Sequence, residues 1–474
     1  MEWETVIGIE LHCELKTKSK MFSSSPVAFG EVANTCTNEI DLAFPGTLPS
    51  LNKKAVELAV RACMATDSEI DTLVKFDRKN YFYSDLPKGF QITQQFHPIG
   101  LNGVVPIVVD GETKNIRLAR IHMEEDTAKQ THYADGTYLD FNRSGLPLIE
   151  IVTEADIRSA KEAAAYVEKV RTMLYYLDVS DGKMEEGSMR CDVNISIREK
   201  GTEKYGTRVE IKNLNSINNV QKAIEVEFER QKEIVEKGEQ LVQATMRFDE
   251  ATRTTIQMRK KEGAVDYKYF PEPNIPPIRL ADSWIKSIKE NMPELPEQRK
   301  VRYLDNYALS DYDVSVLIAN KDVSDYYDKT MKYTKHAKLT ANWITTELLS
   351  IINKSNSSIL DIKMSPESFG SLINMIESNE ISGKQAKEIF GEIVDGADPK
   401  ELIEKRGMKQ VSDSSELLKI ITEVLDENPQ SIDDYKNGKD RAIGFMVGQV
   451  MKKSKGQANP KLTNELLLEE LNKR

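Results

Sequence analysis

The hydrophobic period of this sequence changes once, near Pro293, and that change limits the fold more than any other feature. Before it, short stretches alternate apolar and polar residues: ETVIGIELHCEL, NYFYSDL, VVPIVVDG, RLARIHMEED, RCDVNISIRE and TRVEIKNL. Alternation over a few residues marks half-buried strands. Helical spacing appears between them, at Asn52 to Ala65, Ser159 to Leu177 and Val220 to Lys237. The run FPEPNIPP, Phe270 to Pro277, holds four prolines and reads as an extended linker or edge segment. Beyond it nearly every segment has helical spacing. Ser365-Pro366-Glu367 even shows cap, first-turn proline and acid in helix-start order. An α+β chain in three parts is expected: a mixed domain over 1–292, an all-α domain over 293–406 and a small all-α tail over 407–474.

Charge narrows the functional classes. The 474 residues carry 65 Lys and Arg against 76 Asp and Glu, a net charge of −11. That excludes an overall basic coat for nucleic acid, but not a local patch. One such patch lies in the tail. Lys436, Lys439, Arg441, Lys452, Lys453, Lys455 and Lys461 oppose only Asp440 there. Contact with a phosphate backbone and a merely solvated positive end fit that run equally well. No apolar run reaches the ~18–20 residues of a membrane span. MEWETVIGIELHCELK reads as a strand, not a targeting signal, so a cytoplasmic location is expected. Cys13, Cys36, Cys63 and Cys191 form no CxxC pair and are expected to be reduced thiols.

The chemistry should sit where strands carry charge on one face. In the first strand Glu10, His12 and Glu14 oppose Ile7, Ile9, Leu11 and Cys13. IHMEEDTAK packs Glu124, Glu125 and Asp126 together. Glu150 interrupts the apolar run Leu148, Ile149, Ile151, Val152, and a carboxylate there needs a partner or a cation. Asp192, Asn194 and Ser196 alternate with apolar residues, as do Arg208, Glu210 and Lys212. So many oxygen donors favour Mg²⁺, while one histidine among them leaves Mn²⁺ and Zn²⁺ open. Neither GxxxxGK[ST] nor GxGxxG occurs, so phosphoryl transfer would need an unorthodox site. Arg190 and Lys212 stand beside candidate ligands and suit phosphate, or simply surface ion pairs. Lys79, Tyr81 and Tyr83 share one expected strand face, and Lys88 follows a Leu-Pro turn. Core packing explains such rings most simply; a polar conduit is the alternative.

These stretches, with FPGTLPSLN, FDRKNYFYSDLPKGFQI, DFNRSGLPLIEIVTE, KMEEGSMRCDVNISI, DYKYFPEP and GKDRAIGFMVGQVMKKSKGQANP, resemble one family along the whole chain. It is the B-subunit family of the aspartyl/glutamyl-tRNA amidotransferases. The resemblance implies a heterotrimer with an amidase-type glutaminase partner and a small third chain. It implies ATP-dependent phosphorylation of the side-chain carboxylate of Glu-tRNA(Gln) or Asp-tRNA(Asn), then amidation with ammonia. It implies a glutamine-synthetase-like cradle at the N-terminus and a tail that holds tRNA. Carried over residue by residue, His12, Glu125, Glu150 and Asp192 hold Mg²⁺. Glu10, Glu210, Lys212 and Asn213 lie on the ATP side. Glu125 and Glu150 are catalytic, with Lys79 and Lys88 where ammonia enters. Many members carry paired cysteines before the FPG turn; TCTNEIDLAFPG has only Cys36, so no zinc is expected.

Overall fold

The computed structural model describes residues 2–260, 266–408, 414–437, 439, 441–454 and 457–474; at 213, 259, 260, 414–416, 460 and 461 it describes only the backbone. It divides into two compact units, Met1–Leu295 and Pro296–Arg474. The first is rich in sheet and the second is helical, as the change of period implies.

The first unit is built on a ten-stranded sheet. Trp3–Glu14 runs near its centre, antiparallel to Met189–Glu199 on one side and Pro147–Thr153 on the other. Beyond Pro147–Thr153 lies the long Glu112–Glu125 strand. Beyond Met189–Glu199 lies Val209–Leu214, which pairs in parallel with Ala244–Asp249. Each central strand keeps its period. Ile7, Ile9, Leu11 and Cys13 are at most 1% exposed, while the residues between them reach the other face. The buried set packs in one core with Lys53–Ala65, Ala160–Tyr176 and Ile217–Glu236. Those helices start where capping chemistry tells them to. The Asn52, Ser159 and Ser216 side chains each accept a backbone N–H of the first turn. Helices thus seal one face of the sheet and leave the other to polar groups.

One sequence reading changes and another is decided. NYFYSDL is a strand only at its beginning: Asp77–Asn80 pairs with Phe90–Thr93, and Tyr81 to Gly89 form the connection. Pro87 and the positive φ of Gly89 turn the chain there. Tyr81 and Tyr83 therefore share no strand face with Lys79. Of the two alternatives for the proline-rich run the edge holds, since Phe270–Pro271 pairs with Asp77–Arg78. Its place is fixed by Glu272, which is 3% exposed and accepts Arg78 Nε at 2.5 Å and Nη2 at 3.0 Å.

The second unit holds two separate apolar clusters. One joins Tyr303 through Ile403, the other Leu417 through Leu471. Among the described residues, no helix is long and apolar enough to cross a membrane. The four cysteines are free and buried.

Candidate functional site

The polar face of the sheet gathers acids that are far apart in sequence. Register does this. His12 lies opposite Glu150, and Glu150 lies opposite His122, so three residues of three strands form one row. Glu124 is two positions from His122 and shares its face. Ligand atoms of His12, Glu124 and Glu150 all lie within 4.8 Å of one another. His12 Nε2 is 3.6 Å from Glu124 and 3.5 Å from Glu150. His122 Nε2 is 3.0 Å from Glu150 and 3.6 Å from Glu124.

Burial and charge oppose each other here. Burial pushes both glutamates up, but the two imidazoles outweigh it and hold Glu150 and Glu124 below the usual carboxylate range. Burial would push His122 down, yet Glu150 and Glu124 raise it to about 9. The protonated imidazole thus supplies the positive charge that two buried carboxylates demand. Its Nδ1 is buried without a hydrogen-bond partner. Two carboxylates and an imidazole converging at such range form a donor set that fits a hard or borderline divalent cation.

Glu125 stands elsewhere. It follows the parity of Ile121 and Met123, which are fully buried, so its side chain turns from the row toward the next hairpin. There it accepts from Lys88 Nζ and, at 2.9 Å, from the backbone N–H of Ile92. The acid that lies with His12 and Glu150 is Glu124, whereas the carried-over Glu125 is placed apart from them. Sequence reading grouped Glu124 with Glu125 and Asp126 without singling it out, and it missed His122 as its neighbour. Counting by twos from Ile121 and Met123 would have found both. Motif spacing could not, because the partners meet across strands.

A second group lies on the same face. Glu10 opposes Asp192 in register and accepts from Asn194 Nδ2 at 2.9 Å. Burial and then Glu150 raise Glu10 above its ordinary value. Lys212 Nζ sits 2.5 Å from Asp192 and 2.9 Å from Glu210. Although burial opposes it, Asp192 above all keeps that ammonium charged. Asp192 is therefore grouped with Glu10, Glu210 and Lys212, not with the His12 row. Lys212, Asp192, Arg190 and His12 line one side of a cavity of about 370 Å³. The side chain of Asn213 lies outside the described residues.

Lys79 faces rings rather than acids, with Nζ 5.0 Å from the Tyr267 centroid and 5.8 Å from that of Tyr81. Burial raises the Tyr81 hydroxyl far above its usual range, so it acts as a neutral donor. At the loop tip Phe82 is 96% exposed.

Among known proteins the chain has close relatives. Residues 5–286 match the family model described as the GatB/GatE catalytic domain, and residues 325–471 match that described as the GatB domain. The chain belongs to the GatB family. The aspartyl/glutamyl-tRNA(Asn/Gln) amidotransferase subunits B of Staphylococcus aureus strains JH9, Newman and N315 are each 52% identical to it over 475 residues, spanning 100% of both chains. Both clusters of this GatB-family chain fall within the matched catalytic domain, and the two apolar clusters of its helical unit largely within the second match.

Proposed function

We propose that this chain is the activating member of a tRNA-dependent amidotransferase. In this reading the side-chain carboxylate of glutamate on tRNA(Gln), or of aspartate on tRNA(Asn), takes the terminal phosphoryl group of ATP. Ammonia then displaces phosphate to leave the amide. A separate glutaminase chain supplies the ammonia, and a small third chain completes the heterotrimer. The observation that carries the reading is the His12–Glu124–Glu150 cluster on a polar sheet face, inside a chain whose relatives are named for that activity. A sheet sealed by helices on one side and polar on the other supports a glutamine-synthetase-like cradle.

The residues divide the work. His12, Glu124 and Glu150 would hold Mg²⁺, which when bound neutralises phosphate charge and orients the transfer. Asp192 and Glu210 fix the ammonium of Lys212 on the cavity wall, where it would meet phosphate oxygens, with Glu10 opposite Asp192. Lys88 is held by Glu125, so its position is set by the strand that carries Glu124. Lys79 stands against the Tyr267 and Tyr81 rings, at the mouth where ammonia arrives. The exposed rings of Phe82 and Tyr83 on that loop support a docking role toward the glutaminase. The basic residues of the tail support contact with the tRNA backbone.

ADP formation by the three-chain complex tests the proposal, with Mg²⁺, glutamine and misacylated tRNA present. ADP should appear only with the misacylated tRNA, and Glu150→Gln should abolish it while glutaminase turnover persists. ADP formation at the wild-type rate in Glu150→Gln would make the chain a scaffold.

A further inference from the structure

The cations around the polar face are nearly all committed to carboxylates. Lys88 pairs with Glu125, Arg190 and Arg143 with Asp126, and Lys212 with Asp192 and Glu210. Arg120 differs. It lies on the Glu112–Glu125 strand two residues before His122, opposite Val152 and Leu101, and so on the same face as the His12 row. Its Nε is buried and has no hydrogen-bond partner. Among the described residues no carboxylate comes within ion-pair distance of it. Its charge nevertheless reaches the site. It helps hold Glu150 ionised, and it opposes the burial that pushes the Tyr269 hydroxyl up to about 12.

A half-desolvated guanidinium without an anion is an unfavourable arrangement. It makes physical sense when the anion arrives from outside. A guanidinium is also the side chain best shaped to take two oxygens of a carboxylate or phosphoryl group at once. We propose that Arg120 binds an oxyanion of the reacting pair, either the substrate's side-chain carboxylate or the phosphoryl group in transfer, beside the His12–Glu124–Glu150 cluster. This rests on the phosphorylation reading above. It adds to that reading a cation that no carboxylate among the described residues already holds, placed to let two anions approach each other.

The test uses the complete complex and ADP formation, with misacylated tRNA and ATP varied separately. Arg120→Ala should lower kcat/KM by about 10- to 100-fold, the scale of one lost charge-assisted hydrogen bond. Added guanidinium ion should restore part of the rate. Mn²⁺ binding, read by electron paramagnetic resonance, should be unchanged. Thermal stability without substrates should be equal or higher, since an unpaired, half-desolvated charge is gone. A loss confined to KM for the charged tRNA assigns the carboxylate, and a loss in kcat at saturation of both substrates assigns the phosphoryl group. A rate within about twofold of wild type overturns the proposal, as does a loss matched by weaker Mn²⁺ binding. If Arg120→Ala does not assemble, Arg120→Lys decides the matter in the same way, because a point charge keeps the fold but loses the fork. A wild-type complex that forms no ADP overturns the phosphorylation reading itself, which separates the two failures.

Discussion

His122 carries a consequence that can be measured without substrate. Its folded value, about 9, lies above the ordinary 6.5 because Glu150 and Glu124 outweigh burial. A histidine raised on folding stabilises the native state below about pH 6.5 and loses that contribution as pH rises through about 9. Metal-free protein should therefore lose stability across that window, and His122→Gln should flatten the slope. Urea denaturation in chelator at a series of pH values checks this; equal slopes would refute it. A second residue-scale prediction concerns Lys20. It is fully buried, with Nζ 3.2 Å from Asp41 Oδ2 and 3.2 Å from the Phe141 carbonyl. Lys20→Met strands the Asp41 carboxylate and should cost about 3–5 kcal/mol, while Lys20→Met with Asp41→Leu should recover much of it. Denaturant midpoints of the single and double variants decide. At this scale the sequence showed which strands bore acids, since Glu10, His12 and Asp192 announce themselves by alternation and Glu150 by interrupting an apolar run. It did not separate Glu124 from Glu125. Adjacent acids look alike in a string, and only parity against buried Ile121 and Met123 tells them apart.

At the scale of elements, close approach of strand to helix governs tolerance. Gly100 lies where the Gly100–Leu101 strand passes Lys53–Ala65, and a Cβ there would meet Cys63 Sγ at 2.6 Å. Gly100→Ala should destabilise by about 1–3 kcal/mol through overpacking. Thermal melts should show it, and a melt indistinguishable from wild type would show that the pair relaxes freely. Element types were readable because propensity and period agreed. The helical spacing of Ser159 to Leu177 and the long alternations left little choice. Register was not readable. Nothing in VIGIELHCEL says that His12 will face Glu150, because pairing depends on tertiary packing of the shared core. Tyr81 to Leu86, part of the 81–89 connection, read as strand because aromatic residues favour strands wherever they lie.

Across the whole molecule, charge is less simple than its sum. The tail's positive run is partly spent internally: Lys453 lies 3.1 Å from Glu423 and 2.6 Å from Glu427, and Lys439 lies 2.9 Å from Asp434. Lys452, one residue away, is exposed, and among the described residues it makes no such pair. If the tail holds the tRNA backbone, Lys452→Ala should reduce the slope of log affinity against log salt by about 1, and Lys453→Ala should change it less. Filter binding over a salt series measures both. The count of basic residues pointed to the tail but could not show which remain free, because their acidic partners lie on other helices, Ser414–Glu427 and Pro429–Lys436.

The proposed chemistry depends on one cluster, and cation binding addresses it most directly. Mn²⁺ titration of the assembled complex, followed by electron paramagnetic resonance, should compare Glu124→Gln with Glu125→Gln. Glu124 lines the His12–Glu150 cluster, whereas Glu125 is held by Lys88 and the Ile92 N–H. Glu124→Gln should weaken binding by at least about tenfold, the effect of losing one charged ligand, and Glu125→Gln should leave it close to wild type. Binding that survives Glu124→Gln and fails in Glu125→Gln would contradict the site as described.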